Sequence, residues 1–290
     1  MTHRAGFVNI LGKPNAGKST LLNALLGEKL AIISPKVQTT RHRILGILTQ
    51  PGYQIVFSDT PGIIEPGYKL HEKMMRSVKM AAEDADVALL IIDATDKPED
   101  SLAIFSSLGI KAPRVLVINK MELVSEEELA HIRSVFEKEA LAAIIPVSAL
   151  KQLHLDKLLA EIIRLLPESP AYYPEDMLTE KPMRFFIGEL IREKIYALYH
   201  EEIPYHSTVL VNQFEEKTTL TKITADIIVQ RETQKAIILG EKGKAIKRLG
   251  TLSRESIEAF IDRKVFLELH VRVRDKWRDK ENFLREYGYH

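Results

Sequence analysis

The chain has 290 residues, 41 Lys and Arg against 40 Asp and Glu, and no cysteine. That length is enough for two domains, and a 45% apolar content is ordinary for globular cores. A disulfide-stapled fold and any thiolate-ligated metal or redox centre are excluded, and no apolar run approaches the roughly 18 residues of a membrane span.

The apolar run near the N-terminus, Phe7–Leu11, is too short for a signal-peptide core, so a cytoplasmic protein is expected. Up to Leu166 short β-rich runs alternate with helix-period stretches. Strands are expected at Phe7–Leu11, Gln54–Asp59, Val87–Asp93, Val115–Asn119 and Ala143–Val147, each largely Val, Ile, Leu or Phe. Helices are expected at Lys18–Leu26, Leu70–Ala82, Ser125–Glu139 and Leu155–Leu166. The alternation predicts an α/β, doubly wound domain with a parallel sheet over residues 1–166.

Four of the 13 prolines then fall within residues 167–182, which reads as a semi-stiff extended linker. Residues 183–290 read as a smaller α+β module. It has a helix at Met183–His200, strands at Thr208–Phe214 and Lys222–Gln230, a helix at Lys244–Ile261, a strand at Val265–Arg274 and a polar C-terminal tail. An antiparallel or mixed sheet with helices on one face is expected. There is no repeat and no low-complexity tract.

The first strand runs into Gly12-Lys13-Pro14-Asn15-Ala16-Gly17-Lys18-Ser19 and then an apolar helix, a full G-x-x-x-x-G-K-[ST] phosphate loop in its strand–loop–helix setting. The glycines let backbone N–H groups wrap around phosphates at a helix N-terminus. Lys18 would reach the β- and γ-phosphates, and the Ser19 hydroxyl would ligate Mg²⁺.

Three further loops at strand ends resemble the guanine-nucleotide motifs of translation-factor-like GTPases. Asp59-Thr60-Pro61-Gly62 matches D-x-x-G, Asn119-Lys120-Met121-Glu122 resembles N-K-x-D, and Ser148-Ala149-Leu150 resembles the S-A-[KL] loop. The resemblance implies that Asp59 holds Mg²⁺ through water and that the Gly62 N–H meets the γ-phosphate. It also implies that Asn119 approaches guanine N7 while fixing nearby loops, that the Lys120 stem covers the base, and that an N–H of the 148–150 loop meets O6. Ligands at strand C-termini are what a doubly wound sheet favours. A carboxylate at position 122 accepts from guanine N1–H and N2–H, which adenine does not offer. Here that residue is Glu122, and its extra methylene displaces the carboxylate by on the order of 1 Å. The expectation is GTP over ATP, with reduced affinity.

Between these motifs, Lys36–His42 is positioned as a switch loop, with Thr40, or alternatively Thr39, closing over Mg²⁺ and the γ-phosphate. In Ras-like enzymes a Gln after D-x-x-G orients the attacking water. Ile63 stands there and has no polar group, so slow intrinsic hydrolysis is expected. Asn15 matches an Asn of GTPases that use K⁺ in place of an arginine finger; stabilising the loop is the equal alternative.

In the second module, Gly240-Glu241-Lys242-Gly243 follows Ile237 and Ile238 and precedes an amphipathic helix. This G-x-x-G resembles the loop of KH RNA-binding modules in their prokaryotic (type II) form, which clamps single-stranded RNA. Lys242, Lys244, Lys247, Arg248 and Arg254 make an acid-free basic stretch, and Ile237, Ile238, Ile246 and Leu249 are candidates for an apolar floor under the bases.

GTPase domain, Pro-rich linker and KH module in this order resemble the bacterial Era GTPases over essentially the whole chain. The resemblance implies a GTP/GDP switch with Mg²⁺ that binds 16S rRNA near its 3′ end, assists small-subunit assembly and associates peripherally with the inner membrane; a monomer is expected. GTP and Mg²⁺ are further expected to order the Lys36–Arg41 and Gly62–Leu70 segments, which would stabilise an orientation of the KH module that exposes its RNA groove. The residues alone leave two alternatives: an RNA-tethered ATPase or kinase, and a hydrolysis-inert RNA scaffold.

Overall fold

A computed structural model describes residues 3–289. The chain divides into two compact units, the first ending at Glu180 and the second beginning at Lys181, with the short stretch Gly67–Lys73 grouped with the second.

In the first unit the element order is β1 (Arg4–Leu11), α1 (Lys18–Leu26), β2 (Ile44–Gln50), β3 (Tyr53–Asp59), α2 (Lys69–Glu83), β4 (Val87–Asp93), α3 (Pro98–Ser107), β5 (Arg114–Asn119), α4 (Glu126–Val135), β6 (Ala143–Pro146) and α5 (Leu155–Leu165). The sheet order is β2-β3-β1-β4-β5-β6. All neighbours are parallel except β2 and β3, which form an antiparallel hairpin. Every residue of β4 is buried, as expected for a strand covered on both faces. Strand order reverses around β1, and that switch point is where a doubly wound sheet opens a crevice.

The expectation of a purely parallel sheet missed β2. That strand joins β3 through Pro51 and Gly52 with no intervening helix, so it does not share the strand–helix alternation that framed the domain. Helix α3 was missed too: only Pro98, Ser101 and Phe105 are buried along it, leaving a weak apolar stripe. Helix α4 starts at a Ser125–Glu128 capping box and stops at Val135, four residues earlier than its pattern suggested.

The proline-rich stretch turns where the Met177 N–H donates to the Pro174 carbonyl, and it lies along the outer edge of the β2–β3 hairpin. The fully buried Gln54 accepts from the backbone N–H groups of Tyr172 (2.7 Å) and Tyr173 (3.0 Å) and donates to the Tyr173 carbonyl (2.9 Å). The Ile47 N–H donates to the Leu178 carbonyl at 2.8 Å, so the edge strand is covered rather than left open.

The second unit contains α6 (Met183–Leu198), α7 (Ile203–His206), β7 (Thr208–Glu216), β8 (Thr221–Val229), α8 (Glu232–Leu239), α9 (Lys244–Ile261), β9 (Val265–Val273) and α10 (Glu281–Glu286). Its sheet, ordered β7-β8-β9, is mixed: β7 and β8 are antiparallel, β8 and β9 parallel. Ile187, Ile191 and Ile195 of α6 join Ile223, Ala225 and Ile227 of β8 and Leu249 and Ile257 of α9 in its core.

Two expectations are corrected here. Ile237 and Ile238 end a helix, α8, that the sequence pattern did not reveal. The C-terminal segment is not a polar tail: Trp277 and Leu284 are fully buried, and the Trp277 indole N–H donates to the His206 carbonyl at 2.9 Å. Tyr287 and Tyr289 pack against the same indole, 5.7 and 6.3 Å between ring centroids. Leu284→Ala should therefore lower the stability of this unit by about 2–5 kcal/mol. Urea unfolding followed through the single tryptophan reads this out; an unchanged midpoint would mean that the segment contributes no core.

Candidate functional site

The phosphate loop joins β1 to α1 and is shaped by close approaches that admit only glycine. A Cβ on Gly17, whose φ is +96°, would lie 2.1 Å from Asn119 Nδ2, and one on Gly12 would lie 2.3 Å from the Ile91 carbonyl oxygen. Lys18 is buried, and its ammonium donates back to the Gly12 (3.1 Å) and Lys13 (2.6 Å) carbonyls. Burial pushes its pKa down to about 8, with the nearby Asp59 carboxylate opposing the shift.

Ser19, Thr40 and Asp59 converge from α1, the switch segment and β3. Ser19 Oγ lies 2.8 Å from Thr40 Oγ1 and 2.6 Å from Asp59 Oδ2, and Thr40 Oγ1 lies 3.2 Å from Asp59 Oδ2. Thr39 instead donates to the Lys36 carbonyl. Asp59 is fully buried; burial pushes its carboxyl up, while the Ser19 hydroxyl and the Lys18 ammonium pull it down. Its Oδ1 is buried with no hydrogen-bond partner. An orphaned carboxylate oxygen beside two hydroxyls suits a hard, oxygen-preferring cation such as Mg²⁺ that takes its remaining ligands from phosphate and water.

Asn119, at the end of β5, holds three loops together. Its Nδ2 donates to the Ala16 carbonyl at 2.8 Å, and its Oδ1 accepts the Ala149 N–H at 3.0 Å. Lys120 adopts φ 63°, with its ammonium ion-paired to Asp93. Met121 packs against the core, and its N–H donates to the Val147 carbonyl. Glu122 faces the cavity, and its Oε2 is buried with no partner. Ser148 caps its own loop by accepting the Lys151 N–H.

These groups surround one cavity of about 550 Å³, lined by Pro14, Asn15, Gly17, Lys18, Ser19, Thr39, Thr40, Gly62, Asn119, Lys120, Glu122 and Leu150 among others. Ile32, Ile33 and Leu123, which sequence reasoning passed over, add apolar wall. Members of the four motifs also make contacts that support the site. Thr60 donates to the Ile10 carbonyl, Lys13 pairs with Asp100 at 3.3 Å, and a Cβ on Gly62 would lie 2.7 Å from the Pro14 nitrogen. Ile63 packs its side chain against the core and has no part in the cavity lining. Asn15 donates to the Pro35 carbonyl at 2.9 Å, tying the phosphate loop to the switch segment.

In the second unit the G-x-x-G stretch forms a tight turn between α8 and α9. Gly240, Lys242 and Gly243 all have positive φ (69°, 51° and 77°). A Cβ on Gly243 would meet nothing within 4 Å, so its face is open to a ligand, whereas Gly240 is packed against Ala245. Glu241, Lys242, Lys244, Lys247 and Arg248 are exposed. Next to them a cleft of about 330 Å³ is lined by Ile246, Lys247, Gly250, Thr251, Arg254, Leu267 and Leu269. The apolar lining of this cleft is thus Ile246 with Leu267 and Leu269 of β9. Ile238 and Leu249 are fully buried in the core and cannot touch a base, and Ile237 is half exposed on α8 outside the cleft.

Fold and site define a P-loop GTPase joined to a KH module. The family models agree: residues 7–120 match the 50S ribosome-binding GTPase family and residues 202–278 the KH domain family. The chain is 45% identical to GTPase Era of Geobacter sp. (strain M21), over 99% of this chain and 98% of that protein. It is also 45% identical to a chloroplastic GTPase ERA-like protein of Oryza sativa subsp. japonica, over 99% of this chain and 70% of the relative. Among solved structures it matches Era in complex with MgGDPNP and nucleotides 1506–1542 of 16S ribosomal RNA (TM-score 0.94, 40% identity, 99% of both chains). It also matches a variant of Aquifex aeolicus Era bound to GDP and AlF4⁻ (TM-score 0.93, 40% identity, 99% of both chains). The chain belongs to the Era GTPase family, and its reaction is hydrolysis of GTP to GDP and phosphate.

Two substitutions test the site. Gly17→Ala should weaken GDP binding by about 30-fold or more, because the new methyl displaces the Asn119 amide from both its partners. Glu122→Gln should weaken it by about 10- to 150-fold, the equivalent of the ~1.5–3 kcal/mol of a charged hydrogen bond. Calorimetric titration checks both; unchanged affinity in either variant would remove that residue from the site.

Proposed function

We propose that this protein is a GTP-driven switch that binds 16S rRNA through its KH module and assists assembly of the small ribosomal subunit. The observation that carries this reading is the full-length likeness to Era held with both a GTP analogue and a 16S rRNA segment. Nucleotide work falls to residues 1–166 and RNA work to residues 183–290, with 167–182 joining them. The protein acts as a monomer. Peripheral inner-membrane association follows from the family resemblance; among the described residues no helix is long and apolar enough to cross a membrane.

At the nucleotide, the phosphate-loop N–H groups and Lys18 cradle the phosphates, and Asn119 and Glu122 receive guanine. Mg²⁺ would be held by Ser19, Thr40 and Asp59, where it supplies charge against the phosphate oxygens. Thr40 already hydrogen-bonds Ser19 and Asp59, which supports its role over Thr39 in sensing the γ-phosphate state. Ile63 offers no hydrogen bond to an attacking water, so intrinsic turnover is slow. Asn15 either ligates a K⁺ near the phosphates or serves only to bind the Pro35 carbonyl. Turnover at least several-fold faster in K⁺ than in Na⁺ buffer identifies the first role, and equal rates the second.

At the RNA, phosphodiesters approach the open face of Gly243 while Lys242, Lys244, Lys247 and Arg248 supply charge. Four such contacts to a single strand give a slope of about −3 for log affinity against log salt. A filter-binding series with a 16S rRNA 3′ fragment should return that slope, and Lys242→Ala with Lys244→Ala should flatten it by about 1.4. A salt-independent affinity would refute the RNA reading.

A further inference from the structure

Asp93 closes β4 beside the nucleotide cavity but does not line it, and none of the nucleotide motifs includes it. It is only 8% exposed. Its Oδ1 accepts the Thr95 N–H at 2.9 Å and the Thr95 hydroxyl at 2.7 Å, while its Oδ2 takes the Lys120 ammonium. Burial alone would push this carboxyl up, yet the Lys120 and Thr95 donors hold it below the usual carboxylate range. The β4–β5 ladder fixes the approach: Asp93 is the register partner of Asn119, and the Ala94 N–H donates to the Asn119 carbonyl at 2.9 Å.

Lys120 is the residue so held. It lines the cavity, it adopts a left-handed backbone at φ 63°, and its side chain is one-third exposed. A lysine has four rotatable side-chain bonds, and a free one at a cavity mouth would sample many rotamers, most of them with the stem off the wall. Tying its ammonium to a carboxylate outside the cavity lining leaves the aliphatic stem at the wall and neutralises the charge.

Resting on the reading of this cavity as a guanine-nucleotide site, we propose that Asp93 is a positioning residue for nucleotide binding. It captures the Lys120 ammonium and thereby presets the stem against which the base packs. Preorganisation of one rotamer-rich side chain corresponds to a factor of about 3–10 in affinity. Because the effect concerns the base, GDP and a GTP analogue should feel it equally.

The test is a double-mutant cycle on fluorescent GDP and GDPNP affinities, using wild type, Asp93→Asn, Lys120→Met and the double variant, with Thr95→Val as a fourth variant. Asp93→Asn should weaken both nucleotides by about 3- to 10-fold, and the double variant should bind no more weakly than Lys120→Met alone. Thr95→Val, which removes a turn hydrogen bond but leaves the ion pair, should change affinity by less than about 2-fold. Wild-type affinity in Asp93→Asn, or a full Asp93→Asn penalty persisting beside Lys120→Met, overturns the proposal. So does a Thr95→Val loss as large as that of Asp93→Asn, since the turn rather than Lys120 would then be what matters. A wild-type protein that fails to bind GDP at all would instead bring down the nucleotide reading beneath it.

Discussion

The Asn119 carboxamide sits where three loops of different chain origin must agree to within a few tenths of an ångström. One end accepts from the 148–150 loop, and the other donates to the phosphate loop at Ala16. The same amide leaves no room for a side chain at position 17, so the left-handed Gly17 and the strand-end asparagine are two halves of one steric solution. From that junction follow the height of the phosphate loop above the sheet, the opening of the cavity, and the orientation of the Lys120–Glu122 segment that continues from Asn119.

Around that junction the site holds charge that the protein itself only partly satisfies. Lys18 turns back on its own loop carbonyls, the Asp59 carboxyl shares two hydroxyls and keeps an orphaned oxygen, and Glu122 keeps another. Orphaned buried acceptors cost about 1–3 kcal/mol each in a fold with no other use for them. On the proposed reading, phosphate oxygens would take the Lys18 ammonium, a cation would meet the orphaned Asp59 oxygen, and the N–H groups of guanine would meet Glu122. Such a ligand would complete the polar interior, and Thr40, already bonded to Ser19 and Asp59, would link its γ-phosphate to the switch segment.

Much of this was legible in the residues because phosphate chemistry constrains sequence tightly. A loop that wraps a triphosphate needs glycines and a lysine at fixed offsets, and helix α1 begins and ends where its pattern indicated. Ligands gathered at strand ends likewise left short motifs in a fixed order. What escaped has physical causes. Strand β2 is joined to β3 by a hairpin rather than through a helix. Helix α8 has just two fully buried positions, Gln234 and Ile238. The apolar floor expected under RNA bases was assigned to the aliphatics flanking G-x-x-G, yet two of these, Ile238 and Leu249, face inward to hold α8 and α9 together. The residues that do line the cleft from β9, Leu267 and Leu269, come from a strand far along the chain, and nothing local to the loop marks them. Asp93 was invisible for a similar reason: its partner Lys120 is brought to it only by the register of two parallel strands.

The proposition that joins the two units is thermodynamic: nucleotide state and RNA binding share one equilibrium, so each must alter the other by the same factor. Isothermal titration of GDPNP and of GDP, each in the presence and absence of a 16S rRNA 3′ fragment, measures that factor. A switch of this kind requires RNA to tighten GDPNP relative to GDP by about 5-fold or more. An identical ratio with and without RNA would contradict it and leave two binding activities that merely share a chain.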